Sequence, residues 1–232
     1  MDNGNQPDNQ PNNHGGVWPP PPSGSGAPPP YLPDFQPLTA QSRAATNGIM
    51  ASMIAANLSD IVDVAGSKPI ADIFTSFASF LNMAVGIIYF VWLYRAYKGM
   101  VSLASGRPQS SPGWAIAYYF LPILSFYKPL QIAQEIYRLT DPNPRVANSG
   151  KPPALYLYWW LSYIGAQLTG VVESLILPTA TKTQLVAAVV PDIVLTTIAA
   201  VLACDVINKL TARLHERYDA IVKETTAGTQ WQ

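Results

Sequence analysis

PGWAIAYYFLPILSFYKP, residues 112–129, is the stretch on which the fold turns. It holds six aromatics in eighteen residues, with Pro122 near its centre. As a helix, residues 113–127 would reach roughly 22 Å, short of the ~30 Å hydrocarbon core of a bilayer. Pro122 lacks the backbone donor that a continuous helix needs there. Pro129 suits the first turn of a second helix. The residues that follow, LQIAQEIYRL, are amphipathic: Leu130, Ile132, Ala133, Ile136 and Tyr137 oppose Gln131, Gln134, Glu135 and Arg138. The stretch therefore reads as a helix–break–helix, about 112–139, that enters and returns. Ser125 and Lys128 are placed to bind the carbonyls freed at the break. The competing reading is a kinked fifth span over about 114–136, with Lys128 inside it.

Outward from this stretch, the chain reads as an all-α membrane bundle. Only 12% of its residues are charged, against about 25% in ordinary soluble domains, and 49% are hydrophobic. Four segments are long enough to span: residues 44–65, 73–94, 154–177 and 184–207. The first carries Asn47, Asn57, Asp60 and Asp63, so that face needs protein neighbours. The second ends in VWLYRAYK, an aromatic belt followed by Arg95 and Lys98, and the third opens with LYLYWW, a second belt. Ile207, Leu210, Leu214, Tyr218 and Ile221 continue a helical period past the fourth span.

The distribution of Lys and Arg separates the two readings of 112–129. If the stretch returns, twelve basic residues lie on one side and only Lys68 and Lys182 on the other. If it crosses, the split is five against nine. The positive-inside rule favours the return, with both termini cytoplasmic. The membrane domain then covers residues 39–223, followed by a short polar tail, 224–232. Residues 1–38 hold eleven of the 22 prolines among Asn, Gln, Gly and Ser, a composition that predicts disorder. PPPY, residues 28–31, fits the PPxY form taken by WW-type grooves, against the plainer reading of a solvated spacer. The first apolar run begins only after about forty polar residues, so no signal peptide is expected.

WLYRAYKG, SSPGWAIAYYFLPILSFYKPLQIAQEIYRLTDP and the later YWW resemble the bacterial domain-of-unknown-function 4328 family. Trp92 with Arg95, Pro112 with Trp114, Pro122, Pro129, Glu135 with Ile136, and Asp141 with Pro142 carry the resemblance. It implies a small multi-pass membrane protein with a proline-rich tail, of a family frequent in actinobacteria, and no assigned reaction. Two positions depart from the family's tendency to Asn: Gly99 and Ser125.

Acids inside spans are the usual functional pointer in membranes. Asp60, Asp63, Asp72, Glu173 and Asp192 all fall in the outer half or outer loop of the four-span topology. Asp192 is the deepest and follows Pro191. Ala188, Asp192, Thr196, Ala200 and Cys204 form one stripe of small or polar residues; Ser162, Ala166, Gly170 and Ser174 form another. The two are expected to face each other, with Glu173 and Asp192 at the seam. As a functional site these acids would make a cation or proton site; as structure they are acids wetted or paired near the interface. The single cysteine, the histidine spacing, and the lack of a phosphate loop, nucleophile elbow or HExxH leave no expected enzyme, metal or cofactor. Net charge is zero, so nucleic acid is not an expected partner.

The expectation is a non-catalytic interaction or scaffold protein of the bacterial cytoplasmic membrane. Its basic face or proline-rich tail would meet anionic lipid head groups or a cytoplasmic protein. Arg95, Trp114, Pro122, Ser125, Lys128, Pro129 and Glu135 are its candidate residues. The alternative is a small transporter or channel that uses Asp192 and Glu173.

Overall fold

The computed structural model describes residues 35–66, 68–104, 106–142, 152–176 and 181–229. The PPPY element and nearly all of the proline-rich tail lie outside the described residues. Those described are helical, with no strand among them. The helices are α1 (Thr39–Val64), α2 (Lys68–Leu103), α3 (Pro112–Ala117), α4 (Lys128–Leu139), α5 (Leu155–Ile176) and α6 (Lys182–Thr229). Between α3 and α4 the chain makes two 3-10 turns, Tyr118–Phe120 and Leu124–Phe126.

α1 lies along both α2 and α6, and α5 lies along α6, whereas α2 and α5 hardly meet. Gly66, at φ 90°, turns the chain from α1 to α2 in a conformation that disfavours any side chain. Gly48 lets α1 and α2 approach: a Cβ there would lie 2.9 Å from Val85. Among the described residues two helices are long and apolar enough to cross a membrane, α2 and the Val186–Ala227 part of α6. α1 has the length, but Asn57, Asp60 and Asp63 interrupt it; aromatic and polar residues dilute α5.

The core gathers at one end of the bundle. Trp92, Ala96, Tyr97, Met100 and Leu103 of α2 meet Ile132 and Ile136 of α4, Tyr156 and Trp159 of α5, and Ile207, Leu210 and Leu214 of α6. The aromatic belts read from sequence are thus half core. Trp92 and Tyr156 are fully buried, while Tyr94 and Tyr158 face outward. Leu38, placed in the tail by composition, is buried as well, and Phe35 packs on His215 and Tyr218. α6 runs on through residues read as a C-terminal tail. There the Thr225 and Thr226 hydroxyls donate back to the Ile221 and Val222 carbonyls.

Candidate functional site

The 112–139 stretch begins with a conventional helix start and then fails to continue. Ser111 Oγ accepts the Trp114 N–H at 3.5 Å and Pro112 takes the first position of α3. Pro122 has no N–H to extend the ladder, so the chain leaves the α-helix through the 3-10 turns. Ser125 closes the break: its N–H donates to the Leu121 carbonyl at 2.8 Å and its Oγ to the Pro122 carbonyl at 2.8 Å. Pro129 is buried in the first turn of α4. Lys128 goes to aromatic faces rather than to a carbonyl, with Nζ 5.2 Å from the Tyr118 ring centre and 5.8 Å from that of Tyr127.

Glu135 fastens the return. Its Oε1 accepts the Gln109 N–H at 2.6 Å and its Oε2 accepts the Tyr97 hydroxyl at 3.1 Å. The Tyr97 oxygen in turn accepts the Ser110 N–H at 3.1 Å. Gln109 and Glu135 are 26 residues apart; one straight helix would hold them roughly 39 Å apart. The stretch therefore folds back on itself. The Glu135–Arg138 pair suggested by helical spacing is not found among the described residues, and Arg138 is exposed. Trp160 Nε1 donates to the Phe126 carbonyl at 2.7 Å, and the Tyr89 and Tyr119 hydroxyls bond at 2.7 Å. Beyond these anchors the tip is bare: Phe120 is 69% exposed and Ile123 80%. Trp114 and Arg95 are also exposed, one on the returning element and one on α2.

On the other side of the Tyr89–Tyr119 pair, α2 and α5 stand apart around a cavity of about 530 Å³. Asn82 and Gly86 of α2 face Gln167 and Gly170 of α5, with Ser52 of α1 and Asp192 and Thr196 of α6 behind them. Asp192 accepts the Thr169 hydroxyl of α5 on Oδ1 and the Thr196 hydroxyl on Oδ2, the latter at 3.4 Å. Among the described residues no lysine or arginine pairs with it. The seam expected between α5 and α6 thus forms at Asp192. The Glu173 side chain lies outside the described residues. Cys204 points elsewhere, with Sγ 3.6 Å from the Thr46 carbonyl of α1.

Several residues that make these sites were not singled out in the sequence. Gln109, Asn82, Gln167 and Thr169 carry no motif, and Tyr97 reads only as part of the VWLYRAYK belt. Tyr97 alone had a signal, since Trp92, Ala96, Met100 and Leu103 mark a buried face beside it. Arg213, which holds Asp141 at 2.8 Å, the Tyr137 carbonyl at 2.8 Å and the Tyr137 ring at 3.8 Å, was read only as a basic residue. The departures at Gly99 and Ser125 have local reasons. A Cβ at 99 would lie 3.0 Å from the Phe35 ring, and Ser125 serves the break directly.

These features define a helical bundle with membrane-length helices and a folded-back aromatic–proline element. The chain belongs to the domain of unknown function 4328 (DUF4328) family, which matches residues 55–213. No curated protein and no solved structure matches it.

Proposed function

We propose that the protein is a four-span protein of the bacterial cytoplasmic membrane, with both termini inside, and that its role is interaction rather than catalysis. In this reading α1, α2, α5 and the first half of α6 cross the bilayer, and residues 112–139 re-enter the cytoplasmic leaflet. The carrying observation is the Gln109–Glu135 contact, which supports placing the two ends of that element on one side. The bare Phe120 and Ile123 then rest in acyl chains, while the broken backbone is bonded within protein. Arg95, Arg107 and Arg138, all exposed, lie at the same end and would meet anionic head groups. The proline-rich tail offers a second contact for a cytoplasmic partner.

Sidedness tests the reading. In a Cys204→Ala background, Arg107→Cys, Ser149→Cys and Thr181→Cys are labelled in intact spheroplasts with an impermeant thiol reagent. Labelling of Thr181→Cys alone is the expected result. Unlike labelling of Arg107→Cys and Ser149→Cys would mean that the element crosses. Removing residues 1–34, which spares the packed Phe35 and Leu38, should abolish crosslinking to a cytoplasmic partner without loss of folded protein. The cavity at Asp192 favours a second reading, a transporter or channel, in which Asp192→Asn changes ion flux into liposomes.

A further inference from the structure

The space between α2 and α5 poses a physical problem if these helices span a bilayer, as proposed above. Helices that stand apart leave a lateral opening to the acyl chains. Here the opening is not lined like a lipid-facing surface. Asn82 and Gln167 are exposed on its two walls, and behind them lies a carboxyl group with no basic partner among the described residues. Two threonine hydroxyls occupy one lone pair on each oxygen of Asp192, leaving acceptor capacity directed into the space. Polar side chains at this depth are costly against hydrocarbon and call for a polar or charged occupant. The end toward the packed core is walled by aromatic rings, Tyr89, Tyr119 and Trp160, whose faces favour a cation or a flat apolar body. The volume, about 530 Å³, lies in the range of sites for drug-sized molecules. Glycine on both walls keeps the space clear, since a Cβ at Gly86 or Gly170 would meet nothing within 4 Å.

We infer that the α2–α5 cleft binds a lipophilic organic cation that enters from the bilayer, with its charge at Asp192 and its apolar body against the aromatic wall. Charge complementarity selects this occupant. An uncharged lipid chain would leave Asp192, Asn82 and Gln167 unmatched, and a bare metal ion would leave most of the volume unused.

The test uses the full chain in phosphatidylcholine nanodiscs and radiolabelled tetraphenylphosphonium, with binding read by scintillation proximity. Saturable binding is expected, weakened about tenfold or more by Asp192→Asn, because the charge partner is lost away from bulk water. Neutral triphenylphosphine oxide should compete weakly and equally against both proteins. Gly86→Leu, which extends into open space rather than into a neighbour, should abolish binding while the thermal unfolding of the protein is unchanged. Absence of saturable binding to the wild type overturns the inference, as does equal affinity in Asp192→Asn. Saturable binding that survives Gly86→Leu places the cation elsewhere and also overturns it. Crosslinking of Gly86→Cys between two copies, without cation binding, would assign the cleft to self-association instead. Carbonate extraction of the native membranes separates the two proposals. If the chain is released, the membrane reading fails; if it stays and binds nothing, only the cleft assignment fails.

Discussion

At the packed end of the bundle, large side chains are buried and most of their polar atoms are bonded, the Tyr156 hydroxyl and Arg217 Nη1 excepted. Trp92 Nε1 donates to Thr211 Oγ1 at 3.1 Å, the Leu38 N–H donates to His215 Nε2 at 3.2 Å, and the Arg217 Nε donates to the Leu103 carbonyl at 3.3 Å. Toward the other end α2 turns Phe77, Phe80, Met83 and Ile87 outward, and α2 and α5 do not close on each other. Contacts there run through small groups: Gly165 near Leu195, and the Ser59 hydroxyl with that of Thr75 at 2.6 Å. The difference teaches where folding free energy is held. Water drives aromatic burial at one end; on the membrane reading proposed above, lipid gives the helices at the other end no such drive and leaves close packing to small residues.

The sharpest way to break this contrast is to truncate an aromatic in each half. Trp92→Ala removes a buried indole and a hydrogen bond and should lower stability by about 3–5 kcal/mol, read as a large fall in the detergent unfolding temperature. Phe80→Ala, at an outward position, should change it by at most about 0.5 kcal/mol. Comparable losses from the two would erase the distinction. A second probe sets the close contact against the cleft. Gly48→Leu forces α1 off Val85 and should cost about 1–3 kcal/mol, whereas the same change at Gly86 should be near neutral.

The Tyr97–Glu135 clasp sharpens the comparison further. Glu135→Gln keeps shape but weakens two hydrogen bonds to a charged acceptor and should cost about 1–2 kcal/mol, with the 112–139 element digested faster by protease. Tyr97→Phe should cost about 1–2 kcal/mol, because its hydroxyl links the Ser110 N–H to Glu135. The smallest effect is expected at Ser125→Ala, about 0.5–1 kcal/mol, because the hydroxyl it removes is partly exposed.

The helices and the return were legible because their causes are local. Pro122 and Pro129 act on their own backbone, and apolar length shows in a run of residues. Charge counting favours both ends of the element on one side of a membrane, and the Glu135–Gln109 contact is compatible with that. What could not be read were partners far apart in sequence. Helical spacing would pair Glu135 with Arg138, three residues on, but Glu135 bonds Tyr97 and Gln109. Cys204 was placed at the α5 seam by its stripe but faces α1. A stripe of small residues says that a face packs closely without saying against which neighbour. Asp192 stood out because a carboxylate in an apolar run is costly. Asn82 and Gln167 did not, since isolated amides on helices carry no pattern until a gap sets them opposite each other.

α6 joins the two regions as one unbroken rod of 48 residues, roughly 72 Å long. Asp192 sits near one end. Arg213, with Asp141 and the Tyr137 ring in its grip, lies 21 residues further along, about 31 Å away. A hydrogen-bonded helix is stiff, so a roll of the rod at Asp192 would be felt at the Arg213 clasp. The protein thereby has a mechanical shaft from the α2–α5 cleft to the packed end of the bundle, with a carboxylate at one end and a guanidinium at the other.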